Sequence, residues 1–250
     1  YTGSNSMDEI NAAIWSIAQE AYGIDPVNFT PLDMIQEDYY NAYQEASDLY
    51  LAKDKPINAA RLLINMAILQ TNVKDYVGSE VTTIRALKVL KPVGAKKYIY
   101  RCYNNLAVVY NQMNDYENSI IFYEKALKMN NKNPIVLTNL AGAYQIIGKF
   151  EDSQRCLETI IKENQNDALA HKMLSTIKKY EKNDIHQTMM LSLLEKNSLN
   201  EINKATLCYA ISKSYEDQKN YKKSCHYFVK ANDIEKKIHK DYSINDEVEL

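Results

Sequence analysis

Apolar residues recur at helical spacing through nearly the whole chain, three and four positions apart, with polar breaks every 12 to 18 residues. That rhythm predicts helices over 7–22, 32–53, 56–72, 75–90, 96–113, 116–130, 134–147, 150–164, 168–182, 185–196, 200–218 and 221–239. No stretch shows the strict alternation of a half-buried strand. Thr30-Pro31 with Asp33 reads as a helix start: a capping hydroxyl, a proline in the first turn and an acid beside the positive end of the dipole. Ser198-Leu-Asn-Glu201 reads as a capping box opening the helix that follows.

The pattern also repeats. Laying 100–133 over 134–167 brings Tyr103 onto Leu137, Leu106 onto Leu140, Ala107 onto Ala141 and Tyr110 onto Tyr144. Further along, Tyr116 falls on Phe150, Ser119 on Ser153, Tyr123 on Leu157 and Ala126 on Ile160. Each 34-residue copy is two amphipathic helices, broken at Asn114-Asp115 and at Gly148-Lys149. Small residues stand where two helices must cross closely, and large ones flank them. Two more copies fit at 60–93 (Leu63, Met66, Ala67, Tyr76, Ser79, Ala86) and at 205–238 (Ile211, Ser212, Tyr215, Tyr221, Ser224, Phe228, Ala231). Six residues, Gly94 to Ile99, lie between the first copy and the second, and 168–204 begins as a copy (Leu174, Ser175) and then degenerates.

At these residues the sequence resembles the tetratricopeptide repeat family, whose repeat places a large residue at position 4, Leu at 7, Gly or Ala at 8, Tyr at 11, aromatics at 17 and 24, a small residue at 20 and Ala at 27. The usual Pro at position 32 is missing, with Asn131 and Gln165 in its place. The resemblance implies an all-α fold, a right-handed α-solenoid of stacked antiparallel helix pairs. The expected organisation is a tag or cut end at 1–6 before Met7, an atypical helical cap over 7–55, and the repeat solenoid over 56–250.

Composition narrows the function. Thirty Lys and Arg against 32 Asp and Glu leave a net charge of −2, which speaks against a nucleic-acid binder. No run of apolar residues reaches the ~18 needed for a membrane-spanning helix. Six Gly and five Pro suit helices better than a large sheet, and the repeat's demand for aromatics accounts for 20 Tyr. Four cysteines (Cys102, Cys156, Cys208, Cys225) include no CxxC, so neither a redox motif nor a zinc site is indicated and a reducing, cytoplasmic setting is expected.

Catalytic constellations are absent. The segment from Gly142 to Gly148-Lys149 has five residues between its glycines, lacks the Ser or Thr of a phosphate loop and follows no strand. The histidines (His171, His186, His226, His239) form no HExxH, and His171 occupies a packing position. Cys225 and His226 point about 100° apart on a helix. Asn28-Phe-Thr30 is a formal glycosylation acceptor, meaningful only in a secreted chain. The expectation is a protein that is not an enzyme and needs no cofactor or metal.

What the repeat family adds is a groove lined by the first helix of each pair. The family's groove positions hold Arg61, Asn65, Arg101, Asn104, Asn105, Asn111, Gln112, Asn139, Gln145 and Lys172 in this sequence. Asn65, Asn105 and Asn139 share repeat position 6. A carboxamide pairs with both N–H and C=O of an extended peptide, so such a ladder reads backbone rather than sequence. The competing reading is that Asn is simply tolerated at exposed helix positions. The clamp of chaperone-tail-binding relatives does not match, because Ile64, Asn105 and Thr138 interrupt its basic residues. Residues 1–60 carry 10 acids and two bases, while 61–250 carry 28 bases and 22 acids, with Lys172, Lys179 and Lys213 at groove positions. The expected partner is a protein or peptide, and the chain itself a monomer or weak homodimer. Segments 171–186 and 208–237, with Tyr242-Ser-Ile, are also similar to bacterial proteins in which tetratricopeptide repeats precede a sulfotransferase domain. That resemblance implies a docking or regulatory arm whose catalytic domain lies outside this chain.

Overall fold

The computed structural model describes residues 36–130, 132–196 and 199–246, with backbone alone for 36–39 and 239–246. The expected tag, the helix at 7–22, the Thr30-Pro31 helix start, the Asn28 acceptor, Ser198 of the expected capping box and the His239 side chain lie outside the described residues, and the helix after Ser198 is capped by Asn200. Among the described residues there are helices and turns and no strand. Two compact units divide the chain after Asn131.

Unit 1 contains α1 (Gln36–Ala52), α2 (Pro56–Asn72), α3 (Tyr76–Val93), α4 (Lys96–Gln112) and α5 (Tyr116–Leu127). Each helix packs on the next, and α4 also lies against α2. Its core is built from Leu63 and Ile64 of α2, Leu87 and Leu90 of α3, and Cys102 and Leu106 of α4. The six-residue extension between copies becomes structure: α4 starts at Lys96, and Ile99 is buried against the α2–α3 pair. Helix α3 runs through Pro92 to Val93, three residues beyond the expected end, and Gly94 closes it in the left-handed conformation at φ 67°.

Unit 2 contains α6 (Pro134–Ile146), α7 (Phe150–Glu163), α8 (Ala168–Ile177), α9 (Ile185–Glu195), α10 (Glu201–Asp217) and α11 (Tyr221–Asp246). Helices α6 and α7 pair, as do α10 and α11, and α8 packs on α7 and on α10. The degenerate copy departs from this scheme. The helix expected over 168–182 stops at Ile177, because Lys178 turns extended and Tyr180 swings into the core at 2% exposure. Helix α9 packs on α10 and makes only marginal backbone approach to α8.

Two local devices explain the regular pairs. The first is the crossing within each pair. Ala67, Ala107 and Ala141 at repeat position 8, and Ser79, Ser119 and Ser153 at position 20, are all fully buried. The helices approach so closely that Ser79 Oγ donates to the Ala67 carbonyl at 2.7 Å and Ser119 Oγ to the Ala107 carbonyl at 2.8 Å. In the last pair the direction reverses, with Ser212 Oγ donating to the Ser224 carbonyl at 2.8 Å.

The second device is the turn. Position 15 adopts positive φ in four copies, at Lys74 (67°), Asn114 (61°), Gly148 (77°) and Lys219 (57°). The next N–H then reaches back to the position 11 carbonyl at 2.8–2.9 Å in each, closing the first helix in a Schellman turn. Asp75, Asp115 and Asn220 follow at once as caps of the second helix. Gly148 and, less strongly, Asn114 are residue types this conformation favours, whereas Lys74 and Lys219 are not. Lys74→Gly should therefore stabilise the fold by about 0.5–1 kcal/mol, the relieved left-handed strain exceeding the entropy glycine adds to the unfolded chain. Gly148→Ala should cost about 1 kcal/mol. Urea denaturation followed by circular dichroism reads both, and a destabilised Lys74→Gly chain would refute the account of the turn.

Candidate functional site

The first helices of the pairs carry the carboxamides and cations singled out from the sequence, and packing sorts them into two groups. On α2 of unit 1, Arg61 and Asn65 are half-buried, while their neighbour Ile64 is turned into the core at 1% exposure. On α4, Arg101, Asn104 and Asn111 are half-buried and Gln112 is exposed.

Asn105 departs from the expectation of an exposed ladder. It is 8% exposed, and its Nδ2 donates to Thr83 Oγ1 at 2.7 Å and to Ser79 Oγ at 3.2 Å, both on α3. The two hydroxyls are oriented in turn by their own donations, Thr83 to the Ser79 carbonyl and Ser79 to the Ala67 carbonyl, each at 2.7 Å. The amide hydrogens of Asn105 are thus spent joining α4 to the preceding pair. Its neighbour Asn104 differs in the opposite sense. Its Oδ1 is one of two buried side-chain polar atoms among the described residues without a hydrogen-bond partner, the other being Gln70 Oε1.

In unit 2, Asn139 on α6 is half-buried, and Gln145 one and a half turns on donates through Nε2 to Ser153 Oγ at 3.2 Å. Lys172 on α8 is exposed, with Nζ 5.3 Å from the centre of the Tyr209 ring on α10. Tyr209 is itself held by Asn232 at 2.7 Å and Glu235 at 2.8 Å on α11. The other two lysines expected with Lys172 are placed differently. Lys213 pairs with Asp217 at 2.5 Å, and Lys179 lies on the connector because α8 has already ended.

The glycines and two of the cysteines considered from the sequence are taken up by the fold. Gly142 sits inside α6 and Gly148 in the turn after it, so the loop-like glycine spacing belongs to a helix and its cap. Cys102 and Cys208 are buried free thiols, and burial pushes Cys102 up to about 12 and Cys208 upward, away from reactive thiolate. Among the described residues no three His, Cys, Asp or Glu side chains converge as a metal site would require.

One polar cluster was not legible in the sequence. His171 of α8 and His186 of α9, 1% and 7% exposed, face each other across 2.8 Å from Nδ1 to Nε2. His171 Nε2 lies 2.9 Å from the Gln165 carbonyl, and the Tyr180 hydroxyl lies 2.6 Å from His186 Nδ1. His171 was expected as a packing residue and is one, but a separation of 15 residues with no regular helix between them gives no sign of its partner.

A tetratricopeptide repeat family model matches residues 100–133 and 205–238. Within each unit the helices pack in the paired, all-α manner of that repeat. Among solved structures, BtubC (BKLC) from P. vanneervenii is similar at 19% identity and a TM-score of 0.62, over 83% of this chain and 93% of that one. YrrB, described as a TPR protein with an unusual peptide-binding site, is similar at 20% identity and a TM-score of 0.58, over 76% and 93%. MamA is similar at 19% identity and a TM-score of 0.55, over 70% and 97%. At such identities the likeness concerns the fold. No curated protein matches in sequence. No described helix is long and apolar enough to cross a membrane.

The placement of Asn105 yields a direct test. Asn105→Ala removes both amide hydrogen bonds and leaves a small void between α3 and α4, which should cost about 1–3 kcal/mol in urea denaturation. Asn65→Ala, at a half-buried site, should change stability by no more than about 0.5 kcal/mol. Equal effects would mean that Asn105 is not the tie described.

Proposed function

We propose that this chain is a non-catalytic protein-binding scaffold that holds an extended segment of a partner against the first helices of its pairs. The observation that carries the reading is a set of carboxamides on those helices with capacity left over after folding. Asn65 and Asn104 supply it in unit 1 and Asn139 in unit 2, whereas Asn105 is taken up by the protein itself. The half-buried side chains of Asn65, Asn104 and Asn139 carry carboxamides of the kind that pair with the N–H and C=O groups of a peptide. Arg61 and Arg101 flank these groups in unit 1, and Lys172 offers a cation in unit 2, so acidic side chains in the partner gain as well. The fold likeness to YrrB, a repeat protein with a peptide-binding site, supports the same use of the architecture.

Magnitudes set what the carboxamides contribute. Each bond they make to a peptide is worth about 0.5–1.5 kcal/mol net, so the two sites of unit 1 give about 1–3 kcal/mol. Micromolar binding needs about 8 kcal/mol, leaving side-chain contacts and the cations to supply the larger part.

A peptide array probed with the purified chain would identify a binding segment, and fluorescence anisotropy would measure it. Replacing Asn65 and Asn104 together by Ala should weaken a peptide bound by unit 1 about tenfold with the fold intact, and Asn139→Ala tests unit 2 separately. Normal binding by these folded variants would place the partner elsewhere on the protein.

A further inference from the structure

Helices α8 and α9 should form a pair by their place in the repeat order, yet their backbones scarcely meet. Besides a shared apolar core, they are joined by the buried line Gln165 carbonyl, His171, His186, Tyr180. We propose that this line is an acid-sensitive latch, closed when both imidazoles are neutral and opened by proton uptake, which frees the 178–184 connector from the core of unit 2.

The hydrogen-bond network assigns its own proton positions. A carbonyl oxygen only accepts, so His171 Nε2 carries a hydrogen toward Gln165. The neutral His171 ring then has its lone pair on Nδ1, and His186 Nε2 must donate to it. His186 Nδ1 is left as an acceptor, which the Tyr180 hydroxyl satisfies. Every polar atom along the line is paired in one arrangement, at zero net charge.

An added proton has no good place in that arrangement. On His186 it creates an N–H facing the Tyr180 O–H across 2.6 Å, and the phenol must turn its hydrogen away from its partner. On His171 it faces the His186 N–H across 2.8 Å, which forces His186 to shift its own hydrogen to Nδ1 and arrive at the same conflict. Two added protons set like charges against each other at that distance.

The surrounding charges do not relieve this. Helix α8 contributes Asp167, the cap of its own N-terminus, which favours charge on His171. The connector contributes Lys178, 5.4 Å from the Tyr180 ring and paired with Asp184 at 3.0 Å, while Lys179, Glu181 and Lys182 point to solvent. Asp184 caps α9, and although burial works against its charge, Lys178 and the α9 N–H groups hold it below the usual carboxylate range. Helix α10 contributes Asp217, which accepts from the Tyr180 N–H at 3.3 Å and pairs with Lys213. Burial, then His171 and Lys178, lower His186 to about 4, and burial lowers His171.

The direction with pH follows. Opened and hydrated, each histidine binds a proton below about 6.5, while the closed line does not. The latch is fully closed above that value and loses up to tenfold per pH unit through His186 as pH falls toward about 4, and His171, also lowered by burial, adds in the same direction.

Two measurements on the full chain test the latch. Long-range 1H–15N spectra at pH 7 should show both His171 and His186 with hydrogen on Nε2, and a hydrogen on Nδ1 of either would overturn the assignment. Amide hydrogen exchange, corrected for intrinsic rates, should show 165–190 losing at least tenfold more protection than α2–α5 between pH 7 and pH 5. A uniform change across the chain would overturn the latch. A His186→Phe chain has one titrating ring fewer and should lose protection at 165–190 less steeply; an unchanged slope would also count against it. Should that variant not fold, the two measurements on the unaltered chain decide.

Discussion

The close crossing of paired helices at repeat positions 8 and 20 is the constraint from which the rest of this structure follows. With Ala67, Ala107 and Ala141 on one side and Ser79, Ser119 and Ser153 on the other, all fully buried, two backbones approach closely, and in the first two pairs the hydroxyl reaches a main-chain carbonyl. That proximity fixes how each pair splays, and the splay leaves wedge-shaped gaps that aromatic rings fill, as Phe122 does beside Tyr110 at 5.4 Å between ring centres. It also keeps contacts between neighbouring helices, so the surfaces left over are the outer faces of first and second helices. The half-buried carboxamides lie on the former.

Much of this was legible because it is local. The small residues, the aromatic positions and the turn breaks all recur at one spacing, and helices α2, α6 and α7 end within a residue of where the pattern places them. Legibility fails where an outcome depends on a residue far away in sequence. Asn104 and Asn105 are indistinguishable by type and adjacent on a helix, yet only Asn105 meets the hydroxyls of Ser79 and Thr83, 26 and 22 residues earlier. Periodicity likewise continued α8 to residue 182, since Tyr180 is as acceptable in a helix as in the pocket it fills. The His171–His186 contact depends on that early stop and could not be read before it was seen.

The two units bury polar groups of different character. Unit 1 joins its pairs through an amide and two hydroxyls, groups that keep their charge state at any ordinary pH. Unit 2 joins its irregular segment through two imidazoles and a phenol. Equal satisfaction at neutrality thus conceals unequal response to protons, and the responsive set sits where the repeat pattern breaks down.

The Asn105 tie bears on how this repeat array keeps count. Six extra residues separate the first copy from the second, and the chain absorbs them as an additional turn of α4 that buries Ile99. A loop of such length has many ways to reach the next helix, and apolar surfaces tolerate sliding by a turn. A carboxamide that must meet two hydroxyls on α3 does not tolerate it, because a helix displaced by one turn leaves the buried amide without its partners. Asn105 therefore works as an index mark: it selects one seating of α4 among several of similar hydrophobic content, and it leaves the connecting segment free to vary in length.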